Sequence, residues 1–206
     1  MSLPDLKVRN PIELIQQEHL TGHHERDEYI KWFQSLDTKY HLTLTMAHGT
    51  SERNAIALMN DLIKKLNSKI FKKRYTFHQS AYLQGVTVME DTSKMESVHF
   101  HFLIQKSPYI PCKEKLEALI ESILSAGKNH GRDRINEFKV DSYYLSVNTS
   151  IEKYLTKIFE WYGNAQAARD RFGYLGPNKV EFGGIDSLSK YGGGSSRYIP
   201  RYTAAA

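Results

Sequence analysis

A chain of 206 residues, 40% of them hydrophobic, is long enough to close one substantial core, and it holds no apolar run near the roughly 20 residues that a bilayer-spanning helix needs. Its single cysteine, Cys112, excludes an internal disulfide and a cysteine-based zinc site, so a reducing, cytoplasmic setting is the simplest expectation. A formal charge of +5 permits contact with a polyanion without requiring it, and the placement of the charge matters more than its sum.

Pro11 to Leu36 has helical periodicity, with Ile12, Ile15, Leu20, Tyr29, Phe33 and Leu36 among the candidate buried positions around a polar break at Thr21 to Arg26. His23 and His24 lie in that break and read as solvated surface. Tyr40 to Ala47 alternates and is rich in strand formers, so it reads as the first core strand, with His41, Thr43 and Thr45 sharing one face. A polar strand face is ordinarily the wet side of a sheet, and it can also line a site.

Thr50 or Ser51 is suited to cap the next helix, whose Ala55, Ile56, Met59, Leu62, Ile63, Leu66 and Ile70 recur at helical spacing. From its end runs a cluster of one sign, Lys64, Lys65, Lys69, Lys72, Lys73 and Arg74, a candidate for phosphate-backbone contact. Two extended stretches follow, Tyr75 to His78 and Tyr82 to Glu90.

Val98 to Lys106 reads V-H-F-H-F-L-I-Q-K. Strand side chains alternate with a period of two, so His99 and His101 project together while Val98, Phe100, Phe102 and Ile104 fill the opposite face. Two imidazoles side by side make half of a metal site. The pair alone is a common accident of sequence, so its weight comes from its surroundings. The hairpin pattern around the loop Asp91 to Ser97 brings Glu90 or Glu96 close to the histidines.

Pro111 opens an amphipathic helix with Leu116, Leu119, Ile120, Ile123 and Leu124 on its apolar face and Gly127 as its stop. Lys128 to Arg134 is a basic loop, and Phe138 to Val147 another strand or strand pair. Thr149 and Glu152 have capping-box spacing, so a helix starts there, and Tyr154 and Lys157 share one of its faces. From Gly163 onward the chain mixes glycine, aromatic and basic residues. The domain organisation read from this is an N-terminal helical extension (1–37), a core (38–163) and a partly flexible C-terminal segment (164–206). Antiparallel strands with helices packed on one face give a two-layer α+β architecture.

The order of these elements, with H-L-T-L-T at His41 to Thr45, His99-Phe100-His101 and Tyr154-Leu155-Thr156-Lys157, resembles the HUH endonucleases, specifically the rolling-circle replication initiators. The first motif matches loosely and the other two well. The resemblance covers Tyr40 to Tyr162 and implies an RRM-like central antiparallel sheet. It also implies a divalent ion, Mg²⁺ or Mn²⁺, held by His99, His101 and a glutamate, for which Glu90 stands where the family has its third ligand and Glu96 is the fallback. Tyr154 would be the nucleophile and Lys157 its cationic neighbour, because a tyrosine hydroxyl with a pKa near 10 is a poor nucleophile unaided. The implied reaction is nicking and joining of single-stranded origin DNA through a 5′-phosphotyrosine, with a host helicase and polymerase as partners.

Two other readings stand beside it. Single-tyrosine transposases of the same superfamily also place the tyrosine after the histidine pair. A non-catalytic nucleic-acid-binding module would use Phe100 and Phe102 to stack bases and the lysine cluster to hold phosphates. Tyr162, Tyr143 and Tyr144 are the alternative nucleophiles.

Overall fold

A computed structural model of the protein describes residues 22–72, 81–91, 97–126, 134–143, 151–161 and 165–182. Four strands, β1 (Thr38–Met46), β2 (Gly85–Asp91), β3 (Val98–Gln105) and β4 (Ile135–Ser142), join two short ones, β5 (Phe172–Leu175) and β6 (Val180–Phe182). Every neighbouring pair is antiparallel, and the sheet order is β4-β1-β3-β2-β5-β6. Three longer helices, α1 (Gly22–Ser35), α2 (Glu52–Phe71) and α3 (Lys113–Ala126), are followed by three short ones, α4 (Ile151–Leu155), α5 (Ile158–Trp161) and α6 (Ala165–Arg169). The run β1-α2-β2-β3-α3-β4 with spatial order 4-1-3-2 is the βαββαβ arrangement of RRM-like folds, so the expected α+β class with a central antiparallel sheet holds.

The pleat divides the sheet into two chemically different faces. Tyr40, Leu42, Leu44 and Met46 of β1 and Val98, Phe100, Phe102 and Ile104 of β3 are buried against Ala55, Met59, Leu62, Ile63 and Leu66 of α2 and Leu116, Ile120 and Ile123 of α3. α2 starts at Ser51, whose hydroxyl accepts from the Asn54 amide at 3.3 Å, which settles the cap in favour of Ser51 over Thr50. On the other face, Val86, Val88, Leu103 and Phe172 are buried with Tyr29 and Phe33 of α1, Leu155 of α4, Ile158 and Phe159 of α5 and Ala168 of α6.

Helices therefore cover both faces, which corrects the two-layer expectation. The second layer clusters with β2, β3 and β5, and the polar face of β1 looks like ordinary wet sheet when only alternation is read. The polar stretch Gly22 to Arg26 is the first part of α1 and not a break, although residues before it lie outside the described ones. α1 is an integral layer of the fold, so the boundary at residue 37 separates nothing structural. Similarly, residues 165–182 of the supposed C-terminal segment supply α6 and complete the sheet. Strands of four and three residues are too short to show alternation. Residues 73–80, 92–96, 127–133, 144–150 and 183–206 lie outside the described set, and with them the stretch Tyr75 to His78, Gly127, Thr149 and the Gly192 to Ser196 segment.

One buried amide fastens the two added strands to the core. Asn67 of α2, fully buried, donates Nδ2 to the carbonyls of Gly176 and Pro177 at 3.3 and 3.0 Å and accepts the Leu83 amide at 2.7 Å. Two turns earlier, Asn60 Oδ1 accepts the Val180 amide at 2.7 Å. Asparagine interrupts the apolar stripe of α2 because these backbone groups have no strand partner, and an unmet buried polar group costs about 1–3 kcal/mol. We expect Asn67→Ala to lower stability by about 2–4 kcal/mol in urea denaturation, since it strands both donors and acceptors. A loss under about 1 kcal/mol would show that the clamp is not what holds this hairpin.

Candidate active site

Strand register brings the polar residues of three strands together. β3 pairs with β1 so that His101 faces Thr43 and His99 faces Thr45, and with β2 so that Glu90 faces His99. All lie on the face that α1 and the short helices partly cover. Glu90 and His101 are 3% and 6% exposed, while His99 is half-buried. The hairpin thus delivers Glu90; the fallback, Glu96, lies outside the described residues.

Glu90 is held between two cations or potential cations from different elements. Its Oε2 lies 3.5 Å from His101 Nε2, and its Oε1 lies 3.2 Å from Lys157 Nζ in an ion pair. Burial pushes the Glu90 carboxyl upward, but the hydrogen bond and charge of His101, and then Lys157, outweigh it and hold the group below its ordinary value. His99 is engaged at both ring nitrogens, with Thr45 Oγ1 at 3.2 Å from Nδ1 and Ser97 Oγ at 3.0 Å from Nε2. Burial, and then the neighbouring His101, lowers its pKa.

A third imidazole belongs to this cluster. His41 Nε2 lies 3.3 Å from His101 Nδ1, the two rings stack with centroids 5.4 Å apart, and Thr43 Oγ1 lies 3.2 Å from the same Nδ1. Burial, and then His101, lowers the His41 pKa to about 4. The sequence places His41 on the right face of β1, but only the register shows that it meets His101.

The tyrosine comes from a helix that is deliberately interrupted. Thr156 Oγ1 donates back to the Glu152 carbonyl at 2.9 Å, a bond that competes with helical geometry, and α4 ends at Leu155 with α5 beginning at Ile158. Arg26 of α1 braces the interruption, with Nε at 3.3 Å from Thr156 Oγ1 and Nη2 at 3.2 Å from the Lys153 carbonyl. Tyr154 consequently stands 44% exposed and is not part of the core. Lys157 Nζ sits 3.2 Å from the centroid of the Tyr154 ring, and that ring packs edge-on to His101 at 5.5 Å. The expected sharing of a face by Tyr154 and Lys157 holds, through an i,i+3 backbone bond, Lys157 N to Tyr154 O, at 3.1 Å. Arg26 was not a sequence candidate, since nothing local reveals a partner 130 residues away.

The lysine cluster lies elsewhere. Lys64, Lys65 and Lys69 are on α2, across the sheet from the histidine face; Lys65 pairs with Asp61 at 2.6 Å and Lys69 donates to Ser122 of α3 at 2.9 Å. Lys72 is the helix C-cap with φ of 54°, and Lys73 and Arg74 lie outside the described residues. The run of like charge revealed the cluster but not the face of the sheet that its helix covers. Of the alternative nucleophiles, Tyr143 packs beside the α1 core with a buried hydroxyl, and Tyr144 and Tyr162 lie outside the described residues.

A divalent ion needs several donors gathered around one point. Among the described residues no three His, Cys, Asp or Glu side chains converge on one point, because His99 is turned to Ser97 and Thr45. The buried pair His101 Nε2 and Glu90 Oε2, 3.5 Å apart, nevertheless fits a cation's coordination edge: ligands about 2.1 Å from an ion stand about 3.0–3.4 Å apart. The residues fit the group in type and in this one edge, with His99 the nearest further donor on the same face.

No family model matches the chain, and no curated protein or solved structure matches it. No helix among the described residues is long and apolar enough to cross a membrane.

Beside Tyr154, Glu152 is 1% exposed with Oε1 unpartnered, and burial raises its pKa. In the unfolded chain a glutamate ionises near pH 4.3, so the unfolded state loses its proton first and the native state is destabilised as pH rises through the raised value. We expect Glu152→Gln to melt at a higher temperature than wild type at pH 7 and to lose that advantage near pH 4. A melting-temperature difference that does not change with pH would mean that the carboxyl titrates normally.

Proposed function

We propose that the protein is a divalent-metal-dependent endonuclease that nicks and rejoins single-stranded DNA through a tyrosine, as in initiation of rolling-circle replication. The observation that carries this is one ammonium group: Lys157 Nζ touches both the ring of exposed Tyr154 and the buried Glu90 carboxylate, which in turn reaches His101. A nucleophile, a cation and an imidazole-carboxylate pair thus meet although they come from α4, the turn after it and two strands. The sequence resemblance to rolling-circle initiators supports the same reading independently of these distances.

In the reaction, the Tyr154 oxygen attacks the phosphorus of a phosphodiester and the bond to the 3′ oxygen breaks. The phenol proton leaves to solvent or a base, the departing 3′ oxygen gains a proton, and the 5′ phosphate stays on the tyrosine. Lys157 stabilises negative charge at the tyrosine and the phosphate. Glu90 holds Lys157 in place and prevents the ammonium from being swept into solvent. Reversal by an incoming 3′-OH releases Tyr154 and reseals the strand. A divalent ion, Mg²⁺ or Mn²⁺, held by His101, Glu90 and a reoriented His99, would supply charge compensation at the phosphate oxygens. Unwinding and synthesis fall to a host helicase and polymerase, in the cytoplasm of the host cell. A single-tyrosine transposase would use the same chemistry, and the DNA substrate separates the two.

The non-catalytic module loses the feature that recommended it. Phe100 and Phe102 are fully buried beneath α2 and α3, so neither ring is free to stack a base.

We expect Tyr154→Phe to abolish the covalent protein-DNA adduct while DNA binding stays within about threefold, and His101→Ala to reduce metal-dependent cleavage by at least about 100-fold. These are read by denaturing gel with a single-stranded oligonucleotide carrying an origin hairpin. Adduct formation by the phenylalanine variant would move the nucleophile to another tyrosine, and equal cleavage in EDTA would remove the metal.

A further inference from the structure

We propose that His41 is a positioning residue for His101: when a cation takes the place of the hydrogen between His101 Nε2 and Glu90, His41 accepts the hydrogen on His101 Nδ1 and so leaves the Nε2 lone pair to the ion. The inference rests on the reading above and adds to it a residue outside the ligand set.

Two ring nitrogens, His41 Nε2 and His101 Nδ1, face each other at 3.3 Å, so one carries the hydrogen and the other accepts it. If His41 donates, His101 keeps its own proton on Nε2, pointed at Glu90 Oε2 and closed to any cation. If His41 accepts, the proton sits on His101 Nδ1 and the Nε2 lone pair faces the carboxylate oxygen 3.5 Å away. Without an ion, a hydrogen on Nε2 bridges to the carboxylate; with one, both acceptors turn to the cation, and the hydrogen left on the ring is the one His41 accepts at Nδ1. An imidazole ligand is generally fixed in this way by an acceptor for its second nitrogen.

The surroundings favour a held ring over an accidental contact. The two imidazoles stack within 12° of parallel, so the contact restrains the ring plane as well as the proton. Thr43 Oγ1, 3.2 Å from the same Nδ1, serves as a second acceptor from the adjacent position of the same strand face. His101 is buried beside fully buried Thr87, whose hydroxyl donates to the His101 carbonyl at 3.0 Å and anchors the backbone. His41, Thr43 and Thr45 alternate on β1 opposite Leu103, His101 and His99, so the whole row acts on β3 from one side.

The experiment is titration of Mn²⁺ into DNA-free protein, following the signal of the free ion, for wild type, His41→Leu and His41→Gln. Leucine suits a strand and removes the acceptor, whereas the glutamine amide oxygen retains one; thermal melts establish that both variants fold. We expect His41→Leu to weaken Mn²⁺ binding about 10-fold or more, and His41→Gln to stay within about threefold of wild type. Wild-type affinity in His41→Leu, or equal losses in both variants, would overturn the positioning role while leaving the metal site standing. Absence of Mn²⁺ binding by the wild type would instead overturn the metal reading itself, and this inference with it.

Discussion

The site depends on a single buried carboxylate. Glu90, 3% exposed, is tolerable in the interior only because His101 and Lys157 approach its two oxygens from opposite partners. That requirement ties together elements far apart in the chain: β2 supplies the charge, β3 the imidazole, and the turn between α4 and α5 the ammonium. Lys157 in turn fixes the position of Tyr154 by lying across its ring. Removing the carboxylate would strand a lysine and an imidazole against each other, so the electrostatics of the pair and the geometry of the nucleophile are one problem.

Two layers of structure keep this arrangement in register. Beneath it, the βαββαβ unit buries Phe100 and Phe102 and leaves the odd-numbered residues of β3 on the opposite face. Above it, α1 and the short helices pack on Val86, Val88, Leu103 and Phe172, and Arg26 braces the interruption that exposes Tyr154. The helical layer covers one part of this face and leaves the β1 side, with half-buried Thr43, Thr45 and His99, more open. The cluster lies where apolar cover meets that polar surface, so His101 and Glu90 are dry while Tyr154 stays accessible.

Much of this was legible in the sequence because it obeys a period. Alternation put His99 and His101 on one face and the phenylalanines on the other, hairpin order nominated Glu90 or Glu96, and helical spacing joined Tyr154 to Lys157. What was not legible depends on the register between strands and on which face a helix covers. His41 was seen only as one polar position of β1, since its contact with His101 is a cross-strand fact. The α2 lysines were visible as a cluster, but not as lying across the sheet from the tyrosine. β5 and β6 were hidden in a glycine-rich stretch because three or four residues cannot show alternation, and nothing local in the sequence marks Asn67, whose partners lie on distant loops, as the residue that helps to fasten them.

The most direct test of the central claim is whether the wild-type protein forms a covalent bond to DNA at Tyr154. Single-stranded oligonucleotides labelled at the 3′ or the 5′ end, incubated with Mn²⁺ or with EDTA and resolved on a denaturing gel, report it. An adduct is expected only with Mn²⁺, carrying the 3′ label and not the 5′ label, with the nucleotide mass on the peptide that contains Tyr154. An adduct that keeps the 5′ label, forms in EDTA or maps to another residue would contradict that claim.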